Sequence, residues 1–400
     1  MAIARIDEID ITGKKVLIRV DYNVPLNGNY VVDDMRIRAS LPTIRYALSK
    51  NAAIILCSHL GKPKGEPDPR YSLAPAARRL AGLIEREVRM APDCIGDETR
   101  ALAAGLMPGE ILMLENLRFH PGEEACDMDF SREIMSMADI YVDDAFGAAH
   151  RKHASIVGFP AVAKQACAGM LLMKEWKCLH DTLESPERPF VAIIGGVKVS
   201  SKLGVLKNLV SRVDAMCIGG AMANTFLAAQ GYRVGKSKVE PELYGAANEI
   251  IATAKERGIG LYLPVDCVIT KDVDKPVTEM QPLAQVPFGA VPDDAAIMDI
   301  GPLSAALFAL PVETCKTVLW NGPMGAFENP AFAQGSFTVA QILANNRATS
   351  IIGGGDTDAV VQQARVGDQI SFISTGGGAS LEFLEGKELP AFQALEASKS

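Results

Sequence analysis

Short, continuous aliphatic runs recur along this chain, each followed by a loop bearing Gly, Asp or His and then by an amphipathic segment. The early runs are Val16-Leu17-Ile18-Arg19-Val20, Ala53-Ile54-Ile55-Leu56, Ile111-Leu112-Met113-Leu114 and Ile140-Tyr141-Val142. Later ones are Phe190-Val191-Ala192-Ile193-Ile194, Ala215-Met216-Cys217-Ile218, Thr317-Val318-Leu319-Trp320, Ser350-Ile351-Ile352 and Ile370-Ser371-Phe372-Ile373. Continuous rather than alternating apolarity is what strands buried on both faces require, and helices between such strands imply parallel sheets. The pattern predicts an α/β fold. The units share no fixed period, so a solenoid is not indicated.

Residues 165–183 read as one long helix with apolar Met170, Leu171, Met173, Trp176 and Leu179, stopped by Ser185-Pro186-Glu187-Arg188-Pro189. A fresh buried strand starts at Phe190. A helix between two sheets suits a hinge; a crossover within one domain is the alternative. Length favours division, since 400 residues exceed what one hydrophobic core usually serves.

Composition excludes several classes. With 48% hydrophobic and 22% charged residues, wholesale disorder is ruled out. Net charge is −8 with no basic tail, so a nucleic-acid partner is not expected. Residues 1–170 hold 21 Lys+Arg against 23 Asp+Glu (−2), and the remainder 19 against 25 (−6). No apolar stretch reaches the ~18 residues a membrane span needs, so no membrane partner is expected. The N-terminus lacks the basic-then-apolar layout of a signal peptide. Eight cysteines scattered singly, with no C-x-x-C pair, read as reduced thiols of a cytoplasmic protein. The five histidines show no zinc spacing.

Ligands of open parallel sheets bind beyond the carboxyl ends of strands, so the residues after each run carry the information. In the first half they are charged: Arg19-Val20-Asp21-Tyr22-Asn23, then Asp33-Asp34-Met35-Arg36, Ser58-His59-Leu60-Gly61-Lys62, Glu115-Asn116-Leu117-Arg118 and Asp143-Asp144, then His150-Arg151-Lys152-His153. Arg36, His59, Lys62, Arg118 and Arg151 are expected to converge on one sheet edge. Guanidinium groups suit bidentate recognition of phosphate or carboxylate, so the ligand is expected to be small and multiply anionic. Taken singly, each Arg reads equally as a solvated or salt-bridged surface group. Recurrence at four strand ends is what favours a site.

In the second half the strand ends are glycine-rich: Gly195-Gly196-Val197-Lys198, Gly219-Gly220, Trp320-Asn321-Gly322-Pro323, Gly353-Gly354-Gly355-Asp356-Thr357 and Thr375-Gly376-Gly377-Gly378. Glycine lets a phosphate approach the backbone, and the first amides of the following helix donate to it. Lys198 and Lys202, four apart, share a face if a helix begins there. Gly231-Tyr232-Arg233-Val234-Gly235-Lys236-Ser237 has three residues between its glycines where a P-loop needs four, and reads as a turn. No G-x-G-x-x-G with its acidic ribose ligand and no G-x-S-x-G elbow is present, arguing against a dinucleotide dehydrogenase and a serine hydrolase.

An anion pocket in one half and a nucleotide-phosphate platform in the other fit a phosphoryl transfer between two substrates. Residues 19–25, 58–61, 115–119, 143–151, 195–202, 320–325, 353–357 and 374–380 resemble, in order, the signature segments of the phosphoglycerate kinase family. The resemblance covers nearly the whole chain. It implies two similar-sized, doubly wound, Rossmann-like domains joined by a hinge helix. Residues 1–170 would be a phosphoglycerate-binding domain on which 386–400 pack back, and 171–385 a nucleotide-binding domain. The implied reaction is Mg²⁺-dependent, in-line phosphoryl transfer between 1,3-bisphosphoglycerate and ADP, giving 3-phosphoglycerate and ATP, by a monomer.

By matching motifs, the resemblance assigns Asp21, Tyr22, Asn23, Arg36, His59, Leu60, Gly61, Lys62, Arg118 and Arg151 to the phosphoglycerate. Arg36, Lys198, Gly376 and Gly377 take the catalytic positions. Lys202, Gly219, Gly220, Asn321, Pro323, Glu328, Gly354, Gly355, Asp356 and Thr357 take the nucleotide, and Asp356 also the magnesium. The chain departs from the commonest family pattern at Lys62 (usually Arg), Ala148 (Thr), Val197 (Ala) and Ser201 (Asp). Such a reaction starts from an activated anhydride and needs positioning and charge stabilisation rather than a nucleophile, and no base-activated Ser or Cys is evident. A non-catalytic two-lobed anion-binding protein, the rival reading, has no use for lysines aimed at nucleotide phosphates.

Overall fold

The computed structural model describes residues 3–398. The chain divides into two compact units, one holding the described residues up to Lys177 together with those from Glu388, the other Cys178–Lys387.

The first unit is built on six parallel strands: β1 (Lys15–Arg19), β2 (Ala53–Cys57), β3 (Arg89–Met90), β4 (Ile111–Met113), β5 (Ile140–Asp143) and β6 (Ala166–Ala168), in the order β3-β4-β2-β1-β5-β6. Val16, Leu17 and Ile18 of β1 are fully buried, as are Ile54, Ile55 and Leu56 beside them, which is why these runs do not alternate. The strand order reverses beside β1, where β2 and β5 flank it. Helix Met35–Ser49 follows the first loop, started by Asp33, whose Oδ1 accepts the Met35 amide at 2.9 Å. Helix Pro390–Ala397 also belongs to this unit: Phe392 meets Trp176 with ring centroids 6.3 Å apart, and the Ala391 amide donates to the Ala149 carbonyl at 3.1 Å.

The second unit holds β7 (Phe190–Ile194), β8 (Ala215–Ile218), β9 (Gly260–Tyr262), β10 (Asp266–Thr270), β11 (Ala284–Pro287), β12 (Ala296–Ile300), β13 (Thr317–Asn321), β14 (Thr349–Gly353) and β15 (Phe372–Ile373). Six of them form a parallel sheet in the order β9-β8-β7-β13-β14-β15, a doubly wound arrangement that reverses between β7 and β13. The other three form an antiparallel sheet, β11-β10-β12, which the hydrophobic pattern did not foretell.

Residues 165–183 are not one helix. Ala166–Ala168 pairs in parallel with Tyr141–Asp143, and the helix, Met170–Glu184, starts only after Gly169. Small side chains let that segment lie against β5. Gly169 packs so closely on Asp144 that a Cβ there would fall 2.1 Å from its Oδ1. The division between the units falls inside this helix.

Candidate functional site

In the first unit the loops beyond β1, β2, β4 and β5 gather positive charge. Arg19, the last residue of β1, is buried at 1% exposure and donates from Nη1 to the Val20 carbonyl, from Nε to Ser155 Oγ and from Nη2 to His59 Nδ1 at 3.0 Å. A guanidinium has no acceptor, so Nδ1 must accept and the ring proton sits on Nε2. Burial, followed by Arg19, Arg118, Arg151 and Arg36, drives the His59 pKa well below the ordinary imidazole value, so the ring stays neutral. Four guanidinium groups therefore surround one uncharged donor. His153, half-buried against the same arginines, is brought down to about 4.

Acidic groups balance only part of that charge. Asp21 accepts from Arg36 Nη1 at 2.9 Å and from the Asn23 amide at 3.1 Å. Glu123 is buried and occupied by the amide and hydroxyl of Ser155. Arg118, 3% exposed, donates from Nη1 to the Gly61 carbonyl at 2.7 Å. Its Nε lies 3.3 Å from Glu124 Oε1 but forms no hydrogen bond, and its Nη2 has no partner. Arg151 Nε is likewise buried and unpartnered. Buried guanidinium donors without acceptors are costly, so this positive charge is held close together against a desolvation penalty.

Loop conformation is set locally. Asn23 Oδ1 accepts the Gly61 amide at 2.9 Å, and Asn116 clamps Leu60 by accepting its amide and donating to its carbonyl. Gly61 has φ +60, and a Cβ there would meet the Tyr71 ring at 2.3 Å. Of the residues expected at the anion site, Asp21, Asn23, Arg36, Gly61 and Arg118 are linked by hydrogen bonds, Leu60 joins Arg118 through Asn116, and Arg36, Arg118 and Arg151 all act on the His59 imidazole. Tyr22 differs: its side chain is wholly buried, with the hydroxyl on Ser40 Oγ at 2.8 Å, so it offers a ligand no side-chain group. Lys62 stands exposed.

The second unit carries a cavity of about 750 Å³ whose wall includes Lys198, Lys202, Gly220, Pro323, Glu328 and Asp356. Three loops interlock there through bare backbone. The Gly196 amide donates to the Pro323 carbonyl at 3.0 Å, the Gly220 amide to the Met324 carbonyl at 3.1 Å and the Met222 amide to the Gly196 carbonyl at 3.0 Å. Gly220 has φ +66, and a Cβ would lie 2.6 Å from the Gly196 nitrogen and oxygen. Beside Gly219, a Cβ would fall 2.3 Å from Met324 Sδ. These glycines serve loop-to-loop packing. Gly355, by contrast, opens helix Gly355–Gln363 with nothing within 4 Å of a Cβ. Gly220→Ala is expected to destabilise the protein by about 2 kcal/mol or more, read in urea unfolding. Gly355→Ala should leave stability near wild type and weaken nucleotide binding only. Equal stability of the two variants would contradict this division.

Lys202 Nζ donates to the Gly195 carbonyl at 2.7 Å, the Asn321 carbonyl at 2.9 Å and Asn321 Oδ1 at 2.6 Å. Burial pulls its pKa down to about 8, with Asp356 opposing. Asn321 is buried, and its Nδ2, without a partner, faces Gly353 and Gly354. Thr357 turns inward: its hydroxyl donates to the Gly353 carbonyl and accepts the Gly322 amide. Gly376 and Gly377 sit on the loop after β15, off the cavity wall. Lys198 and Lys202 do not share a helical face, because helix Leu203–Leu209 starts one residue after Lys202. The intervening residues form a turn, with Ser201 Oγ on the Lys198 carbonyl at 2.8 Å and the Ser200 amide on Glu240 at 3.1 Å.

Sequence reading missed three features. Arg19 reads as one of the charged strand-end residues, but its role as the partner of His59 depends on the fold. Lys236, on the loop that imitates a P-loop, lines the cavity. Asp93, Cys94 and His120 have ligand atoms within 4.8 Å of one another, although no sequence spacing links them. There Asp93 Oδ1 and His120 Nε2 already pair at 2.7 Å, and burial holds the Cys94 thiol protonated.

The comparisons with known proteins agree with one another. A family model described as Phosphoglycerate kinase matches residues 6–387. The chain is 53% identical over 396 residues to a phosphoglycerate kinase of Maridesulfovibrio salexigens, with 98% of each chain covered. It is 51% identical over 391 residues to one from Aquifex aeolicus, with 97% of each covered. Among solved structures, the phosphoglycerate kinase of Coxiella burnetii superposes with a TM-score of 0.88 at 39% identity over 100% of both chains. That of Pyrococcus horikoshii OT3 gives 0.86 at 31% identity over 99% of each.

Proposed function

This chain belongs to the phosphoglycerate kinase family, and from that premise we propose that its two units divide the reaction, the first holding the phosphoglycerate and the second the nucleotide. As a member it is a glycolytic phosphotransferase that binds ATP. The gathering of Arg36, Arg118 and Arg151 about the neutral His59 is the observation that carries the first assignment. The phosphoglycerate phosphate would lie against Arg118 and Arg151, while Asn23, the His59 Nε2–H and Arg36, itself held by Asp21, orient the rest of the molecule.

In the second unit, Lys202 and the first amides of helix Gly355–Gln363 would receive the nucleotide phosphates, with Glu328 reaching the ribose. Asp356 is an exposed carboxylate at that helix start, and Lys202 lies close enough for each charge to affect the other. One carboxylate plus phosphate oxygens and water is a donor set that suits Mg²⁺, which would neutralise phosphate charge. Closure about helix Met170–Glu184 would expel water and bring Arg36 and Lys198 to opposite sides of the transferring phosphoryl group, beside the amides of Gly376 and Gly377. The accepting carboxylate of 3-phosphoglycerate is ionised at neutral pH, so no general base is needed. The acyl phosphate is already activated, leaving the protein to align and to stabilise charge.

Eight cysteines outside any disulfide, most of them buried, support a reducing, cytoplasmic setting, and we read the chain as a monomer. Turnover of 3-phosphoglycerate with Mg-ATP in a coupled assay, abolished by EDTA, is the expected behaviour. No turnover from a folded sample would refute the reading. The low Lys202 pKa adds a pH prediction. Its ammonium loses charge above pH 8, so kcat/KM for ADP should fall roughly tenfold per pH unit on the alkaline side. A flat profile to pH 10 would contradict the lowered Lys202 pKa.

A further inference from the structure

Asp93 and Cys94 lie on the loop that leaves edge strand β3, and His120 stands just after the Leu117–Phe119 turn, at the entry to helix Pro121–Glu124. Far apart in the chain, they bring a carboxylate oxygen, a thiol sulfur and an imidazole nitrogen within 4.8 Å of one another. Local contacts hold this shape. The Asp93 carbonyl accepts from Thr99 Oγ1 at 3.0 Å, and the Cys94 amide donates to Asp93 Oδ1 at 2.6 Å. The His120 ring is set against Phe130, with centroids 5.9 Å apart. Asp93 and His120 are 38% and 24% exposed, so the group opens to solvent on their side, whereas Cys94 is buried.

The cluster is a poor nucleophilic centre. A reactive cysteine is a partly exposed thiolate, and this one is a buried thiol. It is a better ligand set. Around a tetrahedral Zn²⁺ ion, sulfur, nitrogen and oxygen donors stand about 3.3–3.6 Å apart, so the 2.7 Å contact between Asp93 and His120 has to open by only about half an ångström.

We propose that an Asp93 carboxylate oxygen, Cys94 Sγ and His120 Nε2 bind one borderline-soft divalent cation of the Zn²⁺ class, with water as the fourth donor. The ion takes the place of the proton between Asp93 and His120. The imidazole proton moves to Nδ1, and the Cys94 thiol releases one proton to solvent. Mg²⁺, a hard ion that prefers oxygen, does not compete for such a site. Since His120 lies just past Arg118, the bound ion fastens the loop after β4 to the sheet edge without entering the anion site.

The test is a Co²⁺ titration of the intact protein, Co²⁺ standing in for Zn²⁺ as a coloured ion. One equivalent should produce a near-ultraviolet sulfur-to-cobalt absorption. One equivalent of Zn²⁺ should remove it, and excess Mg²⁺ should not. Cys94→Ser should abolish the band. His120→Gln and Asp93→Asn, changes at part-exposed positions, should each weaken Co²⁺ binding about tenfold or more. Absence of the band from the folded wild-type protein overturns the site. So does a band that survives Cys94→Ser, which puts the ion on another thiol, or an affinity left unchanged by both His120→Gln and Asp93→Asn.

Discussion

Arg36→Ala is expected to lower kcat by roughly 100-fold or more while the protein stays folded. Arg36 stands near the start of helix Met35–Ser49 with its side chain 27% exposed. Among the described residues only its Nη1 is engaged, by Asp21 Oδ2 and more weakly by the Asn23 carbonyl. Nε and Nη2 are left for a ligand. A planar fork held by one arm can follow charge as it grows on a transferring phosphoryl group, and lysine cannot reproduce that geometry. Asp21 keeps the Asn23 amide when Arg36 is removed, so the loop should persist. Circular dichroism checks the fold, and a kcat within threefold of wild type would sink the assigned role.

Lys198→Ala should cost a comparable factor in kcat with almost no loss of stability. Lys198 is exposed on the cavity wall, and among the described residues its ammonium ties no loop together. Lys202 is its opposite. The Lys202 ammonium joins Gly195 to Asn321, residues far apart in the chain, so its loss damages both binding and folding. The comparison separates a group proposed to act on the reacting phosphoryl from one that holds the loops together. A drop in unfolding free energy for Lys198→Ala as large as for Lys202→Ala would contradict it.

How much of this was legible in advance depends on the kind of interaction. Parallel strands buried on both faces announce themselves as aliphatic runs, so β1, β2, β7 and β13 were readable, together with the charged or glycine-rich residues after them. Arg118 and Arg151 could be anticipated because they stand just past such runs. The small antiparallel sheet could not: Ala284–Pro287 is mostly exposed and has no apolar run to reveal it. The same holds for roles that arise between distant residues. Nothing near Arg19 indicates that it sets the tautomer of His59. Tyr22 lies among residues expected at the anion site yet turns into the core, where its hydroxyl meets Ser40 Oγ.

The division of labour between the two units is tested most directly by backbone amide NMR of the intact chain, titrated separately with 3-phosphoglycerate and with Mg-ADP. The account predicts that 3-phosphoglycerate shifts the amides of Gly61, Arg118 and Arg151 first, and that Mg-ADP shifts those of Gly196, Gly220 and Asp356. Both ligands perturbing the same unit, or each perturbing the other's, would contradict it.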